Sequence, residues 1–150
     1  MTRFTSLLPA LVLSLTASTV MAERVNVASN TDVPHSVERL TQAVEAAGAR
    51  VFNTIDFAQG NASVGETLRP TTVVIFGNPA IGAAALQDAQ TMALYLPLRI
   101  LFFEDESGQT WATYDDPTAV APTHGLPADN PAVLRMRGAL ERFSAVATGQ

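Results

Sequence analysis

Two arginines stand in or beside apolar segments, where a charged group usually serves an internal partner or a ligand. Arg69 precedes one strongly apolar run, and Arg99 interrupts another. A guanidinium is costly in such surroundings unless it is paired or faces water. Its planar fork of donors suits a carboxylate or another anion. Two interpretations remain open: an anion clamp, or internal ion pairs with carboxylates such as Asp56 or Asp116.

Acid-base chemistry would have to be built from Asp56, Asp116 and His124. Asp116 precedes His124 closely in the chain, so a carboxylate could orient the imidazole ring. A loop histidine with a structural hydrogen bond is the alternative. No serine lies in the Gly-x-Ser-x-Gly pattern of a nucleophile elbow. These three residues are therefore the candidate catalytic set, for a small hydrolase or isomerase.

Asn78 could contribute to an anion site because it follows a glycine and precedes Pro79 at a predicted helix start. The free N–H groups at such a start favour negative charge. The Gly-Asn-Pro spacing matches neither a dinucleotide nor a P-loop fingerprint, so a plain helix cap is the alternative. With Arg69, Arg99 and Tyr114, Asn78 completes the candidate set for a small anionic ligand.

Metal and cofactor chemistry is not indicated. His35 and His124 are the only histidines and lie far apart, whereas metal sites usually use closely spaced ligands. The chain has no cysteine, which excludes disulfides, thiol chemistry and cysteine-ligated zinc. We therefore predict no metal and no cofactor.

Composition predicts a folded protein that does not bind nucleic acid. Apolar residues make up 47% of the chain and charged residues 15%, unlike a disordered sequence. All nine basic residues are arginine, and the net charge is -5. A phosphate backbone or an anionic membrane surface requires a positive protein surface. Neither is an expected partner.

The first 22 residues resemble a signal peptide. Arg3 precedes a short apolar region, and Val20-Met21-Ala22 places small residues at the expected cleavage positions. A retained membrane anchor is the alternative, although the apolar region is short for a bilayer span. We expect a mature domain of residues 23–150, located in the periplasm or secreted.

Periodicity predicts a mixture of strands and helices in that domain. Ser36 is the predicted N-cap of the first helix, Gly48 ends it, and Asn78 and Asn130 are predicted caps of later helices. The predicted strands are 24–28, 51–55, 71–76, 98–103 and 110–114, and the predicted helices are 36–47, 79–90 and 131–147. The order β-α-β-β-α-β-β-α favours an α+β fold of two layers, with a mostly antiparallel sheet and helices packed on one face.

Four segments in order resemble the domain-of-unknown-function 302 family. They are Arg69 to Pro79, Leu96-Pro97-Leu98-Arg99, Tyr114-Asp115-Asp116-Pro117 and His124-Gly125-Leu126. The resemblance covers about residues 34–126. It implies a compact two-layer α+β fold, often homodimeric, with no established activity or cofactor.

Two positions depart from the family pattern. Many members read Ile-Asp-His where this chain has Ile55-Asp56-Phe57, and Asn-Asp-Pro is more common than Asp115-Asp116-Pro117. If an Asp-His pair carries chemistry in relatives, this chain lacks the histidine. The sequence therefore favours a non-catalytic module, homodimeric or ligand-binding, over the hydrolase or isomerase.

The export hypothesis predicts a mature protein that begins at or near Glu23. Expression of the full chain in a bacterial host with a periplasm, followed by intact-mass measurement, should show loss of residues 1–22. A full-length product held in the membrane would contradict the prediction.

Overall fold

A computed structural model describes residues 23–150, so the predicted signal peptide lies outside the described residues. Five strands form one sheet in the order β1-β5-β4-β3-β2, and every neighbouring pair is antiparallel. The strands are β1 (Arg24–Ala28), β2 (Arg50–Asp56), β3 (Thr71–Gly77), β4 (Leu98–Glu104) and β5 (Thr110–Asp115). The predicted antiparallel α+β fold is confirmed.

The helices begin at polar caps. They are α1 (Val33–Ala46), α2 (Phe57–Ala62), α3 (Pro79–Asp88), α4 (Pro117–Val120) and α5 (Pro131–Thr148), with 3-10 turns at Gln90–Leu94 and Ala121–His124. The caps predicted at Asn78 and Asn130 are confirmed, since each side chain accepts a backbone N–H two residues later. The short helices α2 and α4 are additions to the predicted order.

The cap predicted at Ser36 is wrong. The N-cap of helix α1 lies four residues earlier, at Asp32, whose side chain accepts the backbone N–H of His35 at 2.9 Å. That hydrogen bond holds the pKa of Asp32 below its usual value. Ser36 instead lies inside the helix, fully buried, with its hydroxyl 2.9 Å from that of Ser29. Both residue types suit a cap, and only packing distinguishes them.

One face of the sheet is covered by α1 and α5. Strand β3 alternates partly exposed and buried residues, and its buried residues share a cluster with those of β4 and β5. The helices contribute Leu40, Val44, Leu140 and Phe143 to the same cluster. The ring of Phe76 meets that of Phe143 edge to face, 5.5 Å between centroids. This packing fixes the sheet and therefore the positions of the side chains on its opposite face.

The opposite face of the sheet carries a groove instead of a helical layer. The β3–β4 register places Val73 beside Leu101 and Ile75 beside Arg99. In β5, Thr113 lies on this face and donates to the backbone of Val25 at 3.0 Å. None of these apolar side chains belongs to the helix-side cluster. The sheet is therefore apolar on both faces in its centre but covered on only one.

Candidate functional site

Two predicted ligand residues, Arg69 and Arg99, line the same groove on the open face of the sheet. The groove has a volume of about 830 Å³. Its floor is largely apolar, its rim holds a third arginine, Arg24, and two carboxylates, Glu104 and Asp115, also line it. The apolar part is formed by Phe57, Leu68, Val73, Leu101 and Phe103. We call this site the arginine groove.

Neither Arg69 nor Arg99 forms the internal ion pair that one interpretation required. Arg69 donates from Nε to the backbone carbonyl of Glu104 at 3.0 Å. The guanidinium of Arg99 lies 5.7 Å from the ring centroid of Tyr95, a cation–π distance. Within residues 23–150, the only arginine with a carboxylate oxygen inside 4.0 Å is Arg137. The pairing with Asp56 or Asp116 is therefore wrong for the described part of the chain.

Asp116 has a structural environment. One oxygen accepts both the backbone N–H and the hydroxyl of Thr118, each at 2.8 Å, which caps α4. The other oxygen lies 3.6 Å from Nε of Arg137. Arg137 also donates to Glu141 at 2.8 Å, and these two carboxylates raise its pKa, Glu141 most. Asp116 is thus largely buried, with one oxygen hydrogen-bonded and the other near a guanidinium.

The contacts of Asp56 and His124 do not include Asp116. Asp56 caps α2 by accepting the N–H of Gln59 at 2.9 Å. The ring of His124 meets that of Tyr95 edge to face, with centroids 5.2 Å apart. None of the three catalytic candidates lines the arginine groove. No hydrogen bond or ion pair joins these three residues to one another within residues 23–150.

Tyr114 lies at the edge of the arginine groove, but its side chain packs in the helix-side core and is 7% exposed. Burial is the main cause that raises the pKa of its phenol, and the charges of Glu141 and Asp116 add to it. The alternation of β5 explains this placement, since Tyr114 shares a face with Ala112, whereas Thr113 faces the open side.

Asn78 lines a different space, an apolar cavity of about 470 Å³ on the helix side of the sheet. Its side-chain oxygen accepts the backbone N–H of Ala80 at 2.9 Å, so the capping role is confirmed. Arg142 lines the same cavity. The predicted ligand set is thus divided between two sites on opposite faces of the sheet.

Sequence reasoning missed two arginines, Arg24 and Arg142. Arg24 begins an edge strand, and its place opposite Asp115 in the β1–β5 register is a tertiary fact. Arg142 is an exposed residue of α5, yet it borders the apolar cavity, against the ring of Phe143. Alternation along β1 was the one available signal, since it places Arg24 and Asn26 on a common face.

No group of three or more His, Asp or Glu side chains in residues 23–150 could hold a metal ion. Over the same range, no helix has both the length and the apolar character that a bilayer span needs.

If Asp116 is structural, its loss should destabilise the fold. Asp116→Ala removes the α4 cap and the neighbour of Arg137, and we expect a loss of about 1–2 kcal/mol in the free energy of unfolding. Asp129→Ala is the matched control, an exposed aspartate with no hydrogen bond among the described residues, and should cost less than about 0.5 kcal/mol. Urea unfolding measures both. Equal urea midpoints for the two variants would show that Asp116 does not stabilise the fold and would leave it a candidate for another role.

Comparison with known proteins matches this chain to a family model, to relatives that share one level of identity, and to a solved structure. Proteins named fluoride-specific ion channels, from Brucella suis and Brucella abortus, are each 38% identical over 110 residues. The match covers 73% of this chain but only 43% and 41% of those proteins, so the chain spans less than half of their length.

The fold is shared with a solved structure. The crystal structure of an uncharacterised conserved DUF302 protein from Bacillus stearothermophilus aligns with a TM-score of 0.67 at 18% identity, over 84% of this chain and 95% of that one. The family model described as domain of unknown function DUF302 matches residues 25–143. The chain belongs to the DUF302 family.

Proposed function

We propose that this chain is an exported, non-catalytic binding module that takes a small anionic ligand in the arginine groove. The observation that carries the proposal is the placement of Arg24, Arg69 and Arg99 around one open space. None of the three has a carboxylate oxygen within 4.0 Å among the described residues. Apart from Arg69 Nε, which donates to the backbone carbonyl of Glu104, the guanidinium donors of these arginines are available to a ligand.

The charge distribution supports an anion over a cation. The chain carries a net charge of -5, yet three of its nine arginines line this one groove, against two carboxylates. The fork of a guanidinium binds two oxygen atoms of a planar or tetrahedral oxyanion at once. The apolar floor adds contact area for the body of such a ligand. A small carboxylate or phosphate fits this combination.

The capping roles of the candidate carboxylates support a non-catalytic function. Asp56 and Asp116 each use one carboxylate oxygen to cap a helix. Phe57 stands where the common family pattern has a histidine. His124 contacts Tyr95 and has no carboxylate within 4.0 Å in the described part of the chain. A general base would need such a partner or a substrate within reach.

The Brucella relatives bear on which anion is bound. Their names assign fluoride to proteins in which the shared segment covers less than half of the length. Fluoride is compact and cannot engage both arms of a guanidinium as an oxyanion can. We expect an oxyanion in the groove, and fluoride is the necessary comparison.

Binding predicts a rise in melting temperature with sodium phosphate or sodium succinate, relative to sodium chloride at equal ionic strength. A ligand that binds only the folded state stabilises it by mass action, so a rise of about 2 °C or more is expected at saturating concentration. Sodium fluoride should match chloride. The double variant Arg69→Gln/Arg99→Gln should lose the rise.

Arg135→Gln is the control for that experiment, because Arg135 is an exposed residue of α5 outside the groove. It should keep the full response. A response to fluoride alone would overturn the oxyanion assignment, and a response unchanged in the double variant would remove the groove as the site.

We also propose that the protein is a homodimer, as the family resemblance implies. Exposed apolar side chains gather along β2, α2 and the segment after α2: Ile55 is 37% exposed, Phe57 43%, Val64 75% and Leu68 40%. Strand β2 is an edge of the sheet, with unpaired backbone groups. A second copy would cover this apolar surface and one end of the groove.

The dimer proposal predicts sedimentation at twice the mass of one chain at micromolar concentration. Ile55→Asp should produce monomers, because a buried carboxylate without a partner is unfavourable in an apolar interface. Leu134→Asp is the control, a 47% exposed leucine on α5, and should remain dimeric. A monomeric wild type, or a dimeric Ile55→Asp variant, would contradict the assignment of this surface.

A further inference from the structure

We propose that the helix-side cavity is a second binding site, for an apolar monocarboxylic acid such as a medium-chain fatty acid. The cavity lies between the end of β3, helix α3 and helix α5. It is separate from the arginine groove, with no lining residue in common. This inference goes beyond the function proposed above and does not depend on it.

The size and lining of the cavity suit the body of such a ligand. Its volume of about 470 Å³ lies in the range of about 300–1,000 Å³ that small-molecule sites occupy. Nearly all of the wall is apolar. The larger side chains that form it include Phe52, Phe76, Ile81, Leu86, Met136 and Phe143. An apolar wall of this extent favours an apolar occupant.

Two polar side chains border the cavity, and both offer hydrogen-bond donors. The guanidinium carbon of Arg142 lies 5.1 Å from the ring centroid of Phe143, and no carboxylate oxygen of residues 23–150 is within 4.0 Å of it. The oxygen of Asn78 is used by the cap of α3, which leaves its amide N–H₂ group without an acceptor in the described residues. The polar part of the ligand must therefore accept hydrogen bonds.

A carboxylate satisfies these donors better than other groups do. It is charged at neutral pH, accepts bonds on two oxygens and matches the fork of Arg142. An inorganic phosphate would leave the apolar wall without contacts, and a hydrocarbon would leave both donors without acceptors. One apolar chain with one terminal carboxylate uses the wall and the two donors together.

Glycine positions provide the means to fill the cavity without disturbing the fold. Gly82 lies in α3 on the cavity wall, and an added Cβ would sit 3.6 Å from Leu96 Cδ1, an ordinary contact. Gly138 lies in α5, outside the cavity lining, and its added Cβ would meet nothing within 4 Å. Leucine at either position also improves helix propensity. Gly82→Leu is therefore the test variant and Gly138→Leu its control.

The test is equilibrium dialysis of the purified protein against radiolabelled decanoate below its micelle concentration, with 1-decanol as the uncharged comparison. We expect saturable binding of one decanoate per chain and weaker binding of decanol. Gly82→Leu should lose binding and Gly138→Leu should retain it. Arg142→Gln should weaken decanoate binding roughly tenfold and leave decanol unchanged, because it removes a charge-assisted hydrogen bond.

Several outcomes would overturn the proposal. Absence of decanoate binding, or equal binding of decanol with no effect of Arg142→Gln, excludes an acid-specific site. Loss of decanoate binding in Arg69→Gln/Arg99→Gln would place the ligand in the arginine groove instead. If Gly82→Leu failed to fold, Arg142→Gln would still decide, since Arg142 is exposed and its replacement leaves the core intact.

Discussion

Packing of α1 and α5 against a single face of the sheet is the constraint on which the other features depend. The buried residues of β3, β4 and β5 share one cluster with Leu40, Val44, Leu140 and Phe143. Burial of large apolar side chains is the dominant favourable contribution to folding. With both long helices on one side, the other face of the sheet remains open and becomes the floor of the arginine groove.

The same arrangement creates the helix-side cavity. Helix α3 packs mainly through a second, smaller cluster that includes Ala85, Met92 and Met136. On the cavity wall, helix α3 presents the small residues Gly82 and Ala83 beside the larger Ile81 and Leu86. An Ala-rich helix is stable as a helix but contributes little side-chain volume. The cavity follows from that composition.

Polar side chains at helix starts explain why the carboxylates are poor candidates for catalysis. Asp32, Asp56 and Asp116 each precede a helix and accept a backbone N–H group, and Asn78 and Asn130 do the same. A carboxylate in that position is held by the helix it caps. Asp105 has a similar role in the β4–β5 turn, where hydrogen bonds, first from Ser107 and then from Trp111, hold its pKa well below the usual range. These residues organise the chain.

The strands, the three long helices and the fold class could be predicted from the sequence, because alternation, helical periodicity and Asn-Pro caps are local signals. The short helix α2 and the true start of α1 could not be predicted. For α1 the reason is that Asp32 and Ser36 are equally good caps, and burial alone selects between them. The amino-acid types of Arg69, Arg99 and Asn78 indicated anion binding. They did not indicate that strand register places the two arginines in one groove, or that Asn78, at the start of α3, lies on the other face of the sheet. Side-chain type is a property of the sequence. Which side chains share a space is decided by tertiary packing, because it depends on contacts between residues far apart in the chain.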